Sequence, residues 1–72
     1  MNGYKIRFRM NQYEIRYTRN DMPDGYISTT TKWANDPNSA LKYILKKSPD
    51  KDGKCSFKRG GSGKIISTKE IQ

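Results

Sequence analysis

The stretch YKIRFRMNQYEIRYT, residues 4–18, carries the strongest structural pattern in the chain. Apolar residues alternate with polar ones on both sides of Asn11 and Gln12, and this alternation is typical of half-buried strands. If Asn11 and Gln12 form a two-residue turn, every apolar residue of the two strands falls on one side. The sequence therefore predicts an antiparallel hairpin with one apolar face, formed by Tyr4, Ile6, Phe8, Met10, Tyr13, Ile15 and Tyr17.

The other face of this predicted hairpin is basic. In the same register Glu14 lies opposite Arg9, which predicts a cross-strand ion pair, and Arg7 lies opposite Arg16. Two like charges facing each other across a ladder destabilise it, so their presence indicates that an anion binds over them. The polar side chains assigned to this face are Lys5, Arg7, Arg9, Glu14, Arg16 and Thr18.

A third strand is predicted for residues 26–33, because turn residues at 20–25 precede a segment rich in threonine. Ile27 and Trp33 are assigned to the core side. The alternative for Trp33 is an exposed role in stacking on nucleic-acid bases, although Tyr26 is the preferred stacking candidate. The residues expected beside the arginines are Tyr26, Ser28, Thr30 and Lys32.

Asp36 followed by Pro37 predicts the start of a helix, since Asp accepts first-turn amide protons and Pro lacks an amide donor. The helix is expected to continue to Lys47 and to end before Pro49. Lys46 and Lys47 would then lie at its negative, carboxyl-terminal end. Its apolar stripe is expected to pack on the sheet through Ala40, Leu41, Ile44 and Leu45.

The segment KRGGSGK, residues 58–64, is predicted to close a second hairpin formed by residues 55–59 and 64–71. Pairing Arg59 with Lys64 places Phe57 opposite Ile66. Two interpretations remain open for the loop. It is either a flexible turn with solvated lysines, or a site where a polynucleotide phosphate rests among Lys58, Arg59 and Lys64.

A nucleotide-binding P-loop does not fit this segment. That motif requires a glycine at the position of Lys58, Ser or Thr after Lys64, and a helix following. Ile65 and a strand-like run follow Lys64 instead. We therefore expect no binding of mononucleotides here.

The composition predicts one small basic domain. The 72 residues contain 15 Lys and Arg against 7 Asp and Glu, a formal net charge of +8. We expect residues 1–72 to form a single α+β domain, in which an antiparallel sheet packs against one helix in the order βββαββ. The excess of positive charge indicates a polyanionic partner, since an arginine-rich cluster suits phosphate groups and base edges.

Several function classes are disfavoured by what the sequence lacks. It contains no histidine, the commonest general base, and no nucleophile with a neighbouring base, so we expect no enzymatic activity. DKDG at residues 50–53 starts like a calcium loop, but the later ligands are missing. No apolar run is long enough to span a membrane. The single Cys55 suits a reducing, cytoplasmic location, and we expect no cofactor, metal or membrane contact.

The predicted order of three strands and a helix opening at WANDPNSALKY resembles small DNA-binding domains of plant ethylene-response factors and integrase N-terminal regions, over residues 4–47. In those families the sheet lies against the DNA groove. Two departures are a third strand without arginine and an additional basic hairpin. The compact basic sequence is also similar to small bacteriophage proteins. The resemblance to the DNA-binding domains implies nucleic-acid contacts by Lys5, Arg7, Arg9, Arg16, Thr18 and Lys32.

Two functions are therefore expected from the sequence. The first is non-enzymatic binding of nucleic acid, with DNA favoured over RNA. The alternative is a small modulator of another protein, such as a phage protein acting on a host enzyme, which contacts an acidic partner surface. The predicted nucleic-acid-binding residues are Lys5, Arg7, Arg9, Arg16, Tyr26, Lys32, Lys46, Lys47, Lys58, Arg59 and Lys64.

Overall fold

The computed structural model describes residues 10–71. This part of the chain forms a four-stranded antiparallel sheet with one short helix, α1 (Pro37–Lys42). The strands are β1 (Asn11–Arg19), β2 (Ser28–Ala34), β3 (Lys54–Ser56) and β4 (Ser62–Ile71), in the sheet order β2-β1-β4-β3. The predicted α+β class is confirmed. The predicted order βββαββ differs in detail from the described elements: within residues 10–71 two strands precede and two follow the helix, and most of the predicted first strand falls outside these residues.

β1 lies in the centre of the sheet and pairs with β2 on one side and β4 on the other. Gln12 is opposite Trp33 of β2 and Ile71 of β4. The predicted turn at Asn11 and Gln12 is therefore wrong, because both residues belong to a paired strand. Met10, expected on the apolar face, is exposed. Residues 4–9 of the predicted first strand lie outside the described residues.

The alternation predicted for β1 is confirmed. Tyr13 and Ile15 are buried, and Ile15 has no exposed surface. Tyr17 is half-buried and packs against both hydrophobic clusters of the core. We call the side of the sheet that carries these three residues the inner face.

α1 starts where the sequence predicts. The Asp36 side chain accepts a hydrogen bond from the backbone N–H of Ser39 at 2.8 Å, and Pro37 occupies the first turn. This hydrogen bond lowers the pKa of the Asp36 carboxyl group. A short helix begins here because its first orphan amides are satisfied by the cap, as expected for Asp followed by Pro.

The helix ends at Lys42, so the predicted end at Lys47 is wrong. The residues that follow bond to the segment around β3 instead: the Lys46 N–H donates to the Ser56 carbonyl at 3.0 Å, and the Lys58 N–H donates to the Ile44 carbonyl at 2.9 Å. Lys46 and Lys47 consequently lie beyond the helix. The apolar stripe nevertheless faces the core, with Ala40 and Leu45 buried and Leu41 and Ile44 half-buried.

In β2, the side chains that face the core are those that the sequence predicts on the solvent side. Its register places Trp33 opposite Gln12, on the outer side of the sheet, and the Trp33 side chain is 58% exposed. Ile27 precedes the strand and is also exposed, so the assignment of both residues to the core is wrong. The buried position belongs to Ala34, which packs in one cluster with Ala40 of α1. A small residue is favoured there because the helix packs closely over this end of the strand.

The second hairpin has a different register from the predicted one. Lys64 pairs with Lys54, and residues 57–61 form the loop. The predicted pairing of Arg59 with Lys64 is wrong because Phe57 leaves the ladder and enters the core, 5.1 Å from the Tyr17 ring between centroids. Gly60, with a positive φ of 112°, allows the tight loop that results.

Candidate nucleic-acid interface

The outer face of the sheet, opposite the inner face, is a basic surface that the described strands share. Directly opposed residues of neighbouring strands lie on the same face, so the register defines its members. Four cations and one carboxylate give it a net charge of +3. The described residues of this face are Gln12, Glu14, Arg16, Thr18, Thr29, Thr31, Trp33, Lys54, Ser56, Ser62, Lys64, Ser67, Lys69 and Ile71.

Arg16 lies near the middle of the outer face, where its side chain is 53% exposed. Its Nε donates to Glu14 Oε1 at 3.1 Å. Glu14 was expected to pair with Arg9, which lies outside the described residues together with Arg7. An ion pair this exposed is weak, so the Arg16 guanidinium can exchange Glu14 for another anion.

Three lysines converge at one end of the outer face. Lys54 and Lys64 are directly opposite each other across β3 and β4, and Lys47 lies beside them. Together they line a groove of about 540 Å³, which we call the lysine groove. Like charges directly opposed across a ladder are destabilising in water and are relieved by an anion between them.

The remaining lining of the lysine groove is mostly polar and suits an anion. It contributes the hydroxyl groups of Thr18, Ser48, Ser56 and Ser62. Among the described residues that line the groove, Asp50 is the one carboxylate. Its Oδ1 accepts backbone N–H groups of Asp52 and Lys54 at 2.8 and 2.9 Å, which fixes the turn before β3. The groove therefore keeps an excess of positive charge.

A second, smaller groove of about 240 Å³ lies on the inner side of the sheet. Lys32, Lys58 and Arg59 contribute cations to it, and the exposed ring of Tyr43 forms part of its wall. No carboxylate is among the described residues that line it. We call it the Arg59 groove, and its charge also favours an anionic ligand.

Arg19 borders the Arg59 groove but is held by protein groups. Its Nε donates to Asp21 Oδ1 at 3.0 Å, one terminal amino group donates to the Gly60 carbonyl at 3.0 Å, and the guanidinium lies over the Phe57 ring. The hydrogen bond to Asp21 raises the pKa of Arg19, and its partner Asp21 has a lowered pKa. This arginine is a structural residue that orders the loop at residues 57–61.

The structure divides the predicted binding residues between the two faces. Arg16 and Lys64 lie on the outer face, with Lys47 at its edge. The Arg59 groove on the inner side holds Lys32, Lys58 and Arg59. The expected placement of Ser28, Thr30 and Lys32 beside the arginines is therefore wrong, because they share the inner face with Tyr17, Ile15 and Tyr13.

Two of the other predicted residues, Tyr26 and Lys46, line neither groove. Tyr26 is exposed in the connection between β1 and β2, and Lys46 is exposed after α1. Lys5, Arg7 and Arg9 lie outside the described residues.

Sequence reasoning missed Lys54 and Lys69 of the outer face, and it gave the exposed position of Trp33 only as the alternative to the core. Lys54 is found once residues 57–61 are recognised as the loop, because the hairpin register then places it opposite Lys64. Lys69 is opposite Glu14, so it follows from the pairing of β4 with β1. For Trp33, the signal is the buried Ala34 next to it, since neighbouring strand residues point to opposite faces.

Cys55 is among the residues that line the lysine groove, and it is buried. Burial, followed by the nearby charge of Asp50, raises the pKa of its thiol, so the nucleophilic thiolate is disfavoured. Within residues 10–71, no group of three or more His, Cys, Asp or Glu side chains is arranged to hold a metal ion. The described helix is too short to span a lipid bilayer.

Comparisons with known proteins found no matching family model, no matching curated protein and no matching solved structure. Of the three strands on which the resemblance to the ethylene-response-factor and integrase domains rests, the second and third correspond to β1 and β2, and most of the first lies outside the described residues.

Proposed function

We propose that this chain is a non-enzymatic nucleic-acid-binding protein whose lysine groove binds backbone phosphates. The observation that supports this most directly is the opposition of Lys54 and Lys64 across β3 and β4. A pair of this kind destabilises a ladder by up to about 1 kcal/mol. The destabilising pair is explained if the concentrated positive charge binds an anion. Nucleic acids are linear polymers that present a phosphate at every nucleotide.

The composition of the groove agrees with this ligand. Lysine ammonium groups bind phosphate as point charges, and hydroxyl groups such as those of Thr18 and Ser62 donate hydrogen bonds to phosphate oxygens. Arg16 continues the positive surface from the groove toward the middle of the outer face. A nucleic-acid backbone running along this face would therefore meet cations at more than one phosphate.

The test compares two double variants with the same change in charge. Lys54→Gln combined with Lys64→Gln removes two cations from the groove. Lys42→Gln combined with Lys51→Gln removes two exposed cations that do not line it. Binding of a labelled DNA oligonucleotide is followed by fluorescence anisotropy at several salt concentrations, with an RNA oligonucleotide of the same sequence in parallel.

We expect the groove variant to show a shallower plot of log affinity against log salt. Each lost phosphate contact lowers the slope by about 0.7 to 0.9, the counterions released per phosphate, so two contacts lower it by about 1.4 to 1.8. The control variant should retain the parent slope within about half a unit. Equal slopes for the two variants would contradict the groove as the phosphate site.

The same experiment tests the alternative of an acidic protein partner. Polyglutamate presents carboxylates at the density of a very acidic protein surface but no phosphates or bases. Binding of polyglutamate at least as tight as that of the oligonucleotides would overturn the proposal and favour a protein-binding modulator.

A further inference from the structure

Trp33 is the one tryptophan of the chain, and this residue is 58% exposed on the outer face. It lies at the end of β2, directly opposite Gln12, with Ile71 on the other side of Gln12. Single apolar residues scattered over a protein surface are common. Here a large aromatic side chain shares the exposed face of a sheet with several cations. It is an arrangement typical of surfaces that bind single-stranded nucleic acid.

The spacing along the outer face suits an extended strand. Gln12, which is paired with Trp33, and Thr18, which is paired with Lys64, are six residues apart along β1. This separation corresponds to three steps of two residues on the outer face. At about 6.7 Å per step, this corresponds to about 20 Å. Arg16 lies one step before Lys64, so aromatic and cationic groups occupy different positions of one continuous surface.

We propose that the outer face binds a single-stranded nucleic acid, with one base stacked on the Trp33 indole and the backbone directed toward Arg16 and the lysine groove. This inference rests on the proposed function. An unpaired base presents its ring face to the indole, whereas the bases of a duplex are already stacked on one another. The cations then neutralise phosphates of the same strand.

Charge argues against a second copy of the chain as the occupant of this face. Two outer faces brought together would oppose one net charge of +3 with another, since the described residues of each include four cations and one carboxylate. A single-stranded nucleic acid supplies negative charge and an aromatic surface at once. It therefore complements both features of the face.

The test uses the intrinsic fluorescence of the sole tryptophan. The full chain is titrated with a labelled oligothymidine, an oligouridine and a DNA hairpin duplex, and indole emission is recorded beside the anisotropy of the labelled oligonucleotide. We expect quenching by the single strands and weaker binding of the duplex. Quenching by oligothymidine, by oligouridine or by both supports the stacking, and the two arms compare a DNA strand with an RNA strand.

Three variants isolate the indole. Trp33→Ala should weaken single-strand binding about tenfold or more, because one base–aromatic stack is lost. Its salt slope should remain that of the parent, since an indole neutralises no phosphate. Trp33→Phe should restore part of the affinity. Met22→Ala, which removes an exposed apolar side chain from the connection between β1 and β2, should leave affinity unchanged.

The outcomes separate this inference from the proposed function. If the parent binds none of the oligonucleotides, the proposed function fails. If it binds them with unchanged Trp33 emission, and Trp33→Ala binds equally well, the stacking is overturned while the phosphate site stands. Tighter binding of the duplex than of the single strands overturns it too. A dimer of the parent in solution that the Trp33→Ala variant no longer forms would also overturn the stacking, because a second copy of the chain would then cover the indole.

Discussion

The guanidinium carbon of Arg19 lies 4.8 Å from the centre of the Phe57 ring, so the last residue of β1 covers the first residue of the 57–61 loop. The same guanidinium donates to the Gly60 carbonyl at 3.0 Å. Because Phe57 is buried against Tyr17, these contacts connect the core, the central strand and the loop that carries Lys58 and Arg59. The position of both cations in the Arg59 groove therefore depends on Arg19.

Arg19→Met should lower the midpoint of thermal unfolding, because it removes the hydrogen bond to Gly60 and the cation over Phe57 while retaining a side chain of similar length. Asp21→Asn should have a smaller effect, since the two Arg19 contacts to the loop remain. Circular dichroism melts measure both. Arg59→Gln is the control for loss of charge alone, and a melt of Arg19→Met no lower than that of Arg59→Gln would contradict the structural role.

Gly63→Ala should disrupt the pairing of β1 with β4. A Cβ at this position would overlap the Thr18 carbonyl oxygen and lie 2.8 Å from the Thr18 carbonyl carbon, so the two strands must move apart. We expect a loss of about 3 kcal/mol or more in the free energy of unfolding, measured by urea denaturation. Gly25→Ala is the comparison.

Gly25 has a positive φ of 84°, but no atom within 4 Å of the added Cβ. Alanine there should cost only about 1 to 2 kcal/mol, for the left-handed backbone. Equal losses for the two alanine variants would mean that the strands do not approach at Gly63 as described.

Ile15→Ala should destabilise the domain by about 3 kcal/mol, because Ile15 is completely buried in the core under β1. Ile15→Val, which removes a single methyl group, should cost about 1 kcal/mol and keeps the measurement possible if the alanine variant unfolds. Ile66→Ala is the matched control. Ile66 is the unpaired residue where the register of β1 and β4 shifts, and its side chain is 52% exposed, so a change within about 0.5 kcal/mol is expected.

Asp36 should make stability depend on pH in the acid range. Its folded pKa is lowered by the hydrogen bond from the Ser39 N–H, so the charged cap favours the folded state at neutral pH. This contribution is complete above the ordinary Asp pKa of about 3.9 and is lost as the pH falls through the lower folded value. Asp36→Asn keeps an acceptor without the titration.

Urea denaturation of both proteins from pH 7 to pH 2 checks this expectation. The stability of the parent relative to Asp36→Asn should fall as the medium becomes more acidic. A difference that is the same at every pH would show that the charge of the cap does not contribute.

Much of the inner side of this fold was predictable from the sequence. Tyr13 and Ile15 alternate with polar residues over the longest regular run among the described residues, and this contrast fixes which side of β1 is buried. The start at Asp36 was equally predictable, because a cap and a following proline act locally. The buried side of β1 and the start of α1 could therefore be predicted from local sequence alone.

The remaining errors come from partners distant in sequence. The threonines of β2 contrast little with their neighbours, so the side occupied by Trp33 depends on its pairing with Gln12. Helix propensity favours continuation past Lys42, but Leu45 bridges Phe57 instead. The apolar pattern of residues 4–10 favours a turn at Asn11 and Gln12, but this local pattern does not indicate that β4 pairs beside β1.

These pairings also decide which candidate residues meet. Lys54 and Lys64 come together only through the register of β3 and β4. The separation of Lys32 from Arg16 follows from the register of β2 and β1. Positive charge was predictable from composition, but its division between an outer face and an inner groove was not.

The central position of β1 also affects how the chain folds during its synthesis. β1 is translated before β2, α1 and β3, and its partner β4 follows all of them. Until residues 62–71 have left the exit tunnel, β1 lacks the strand with which it pairs on one side in the described part of the fold, and Ile65 is missing from the core around Tyr17. A nascent chain that pauses before Ser62 therefore exposes an unpaired edge and part of its apolar face. Such a species is prone to aggregation and is a natural substrate for a chaperone.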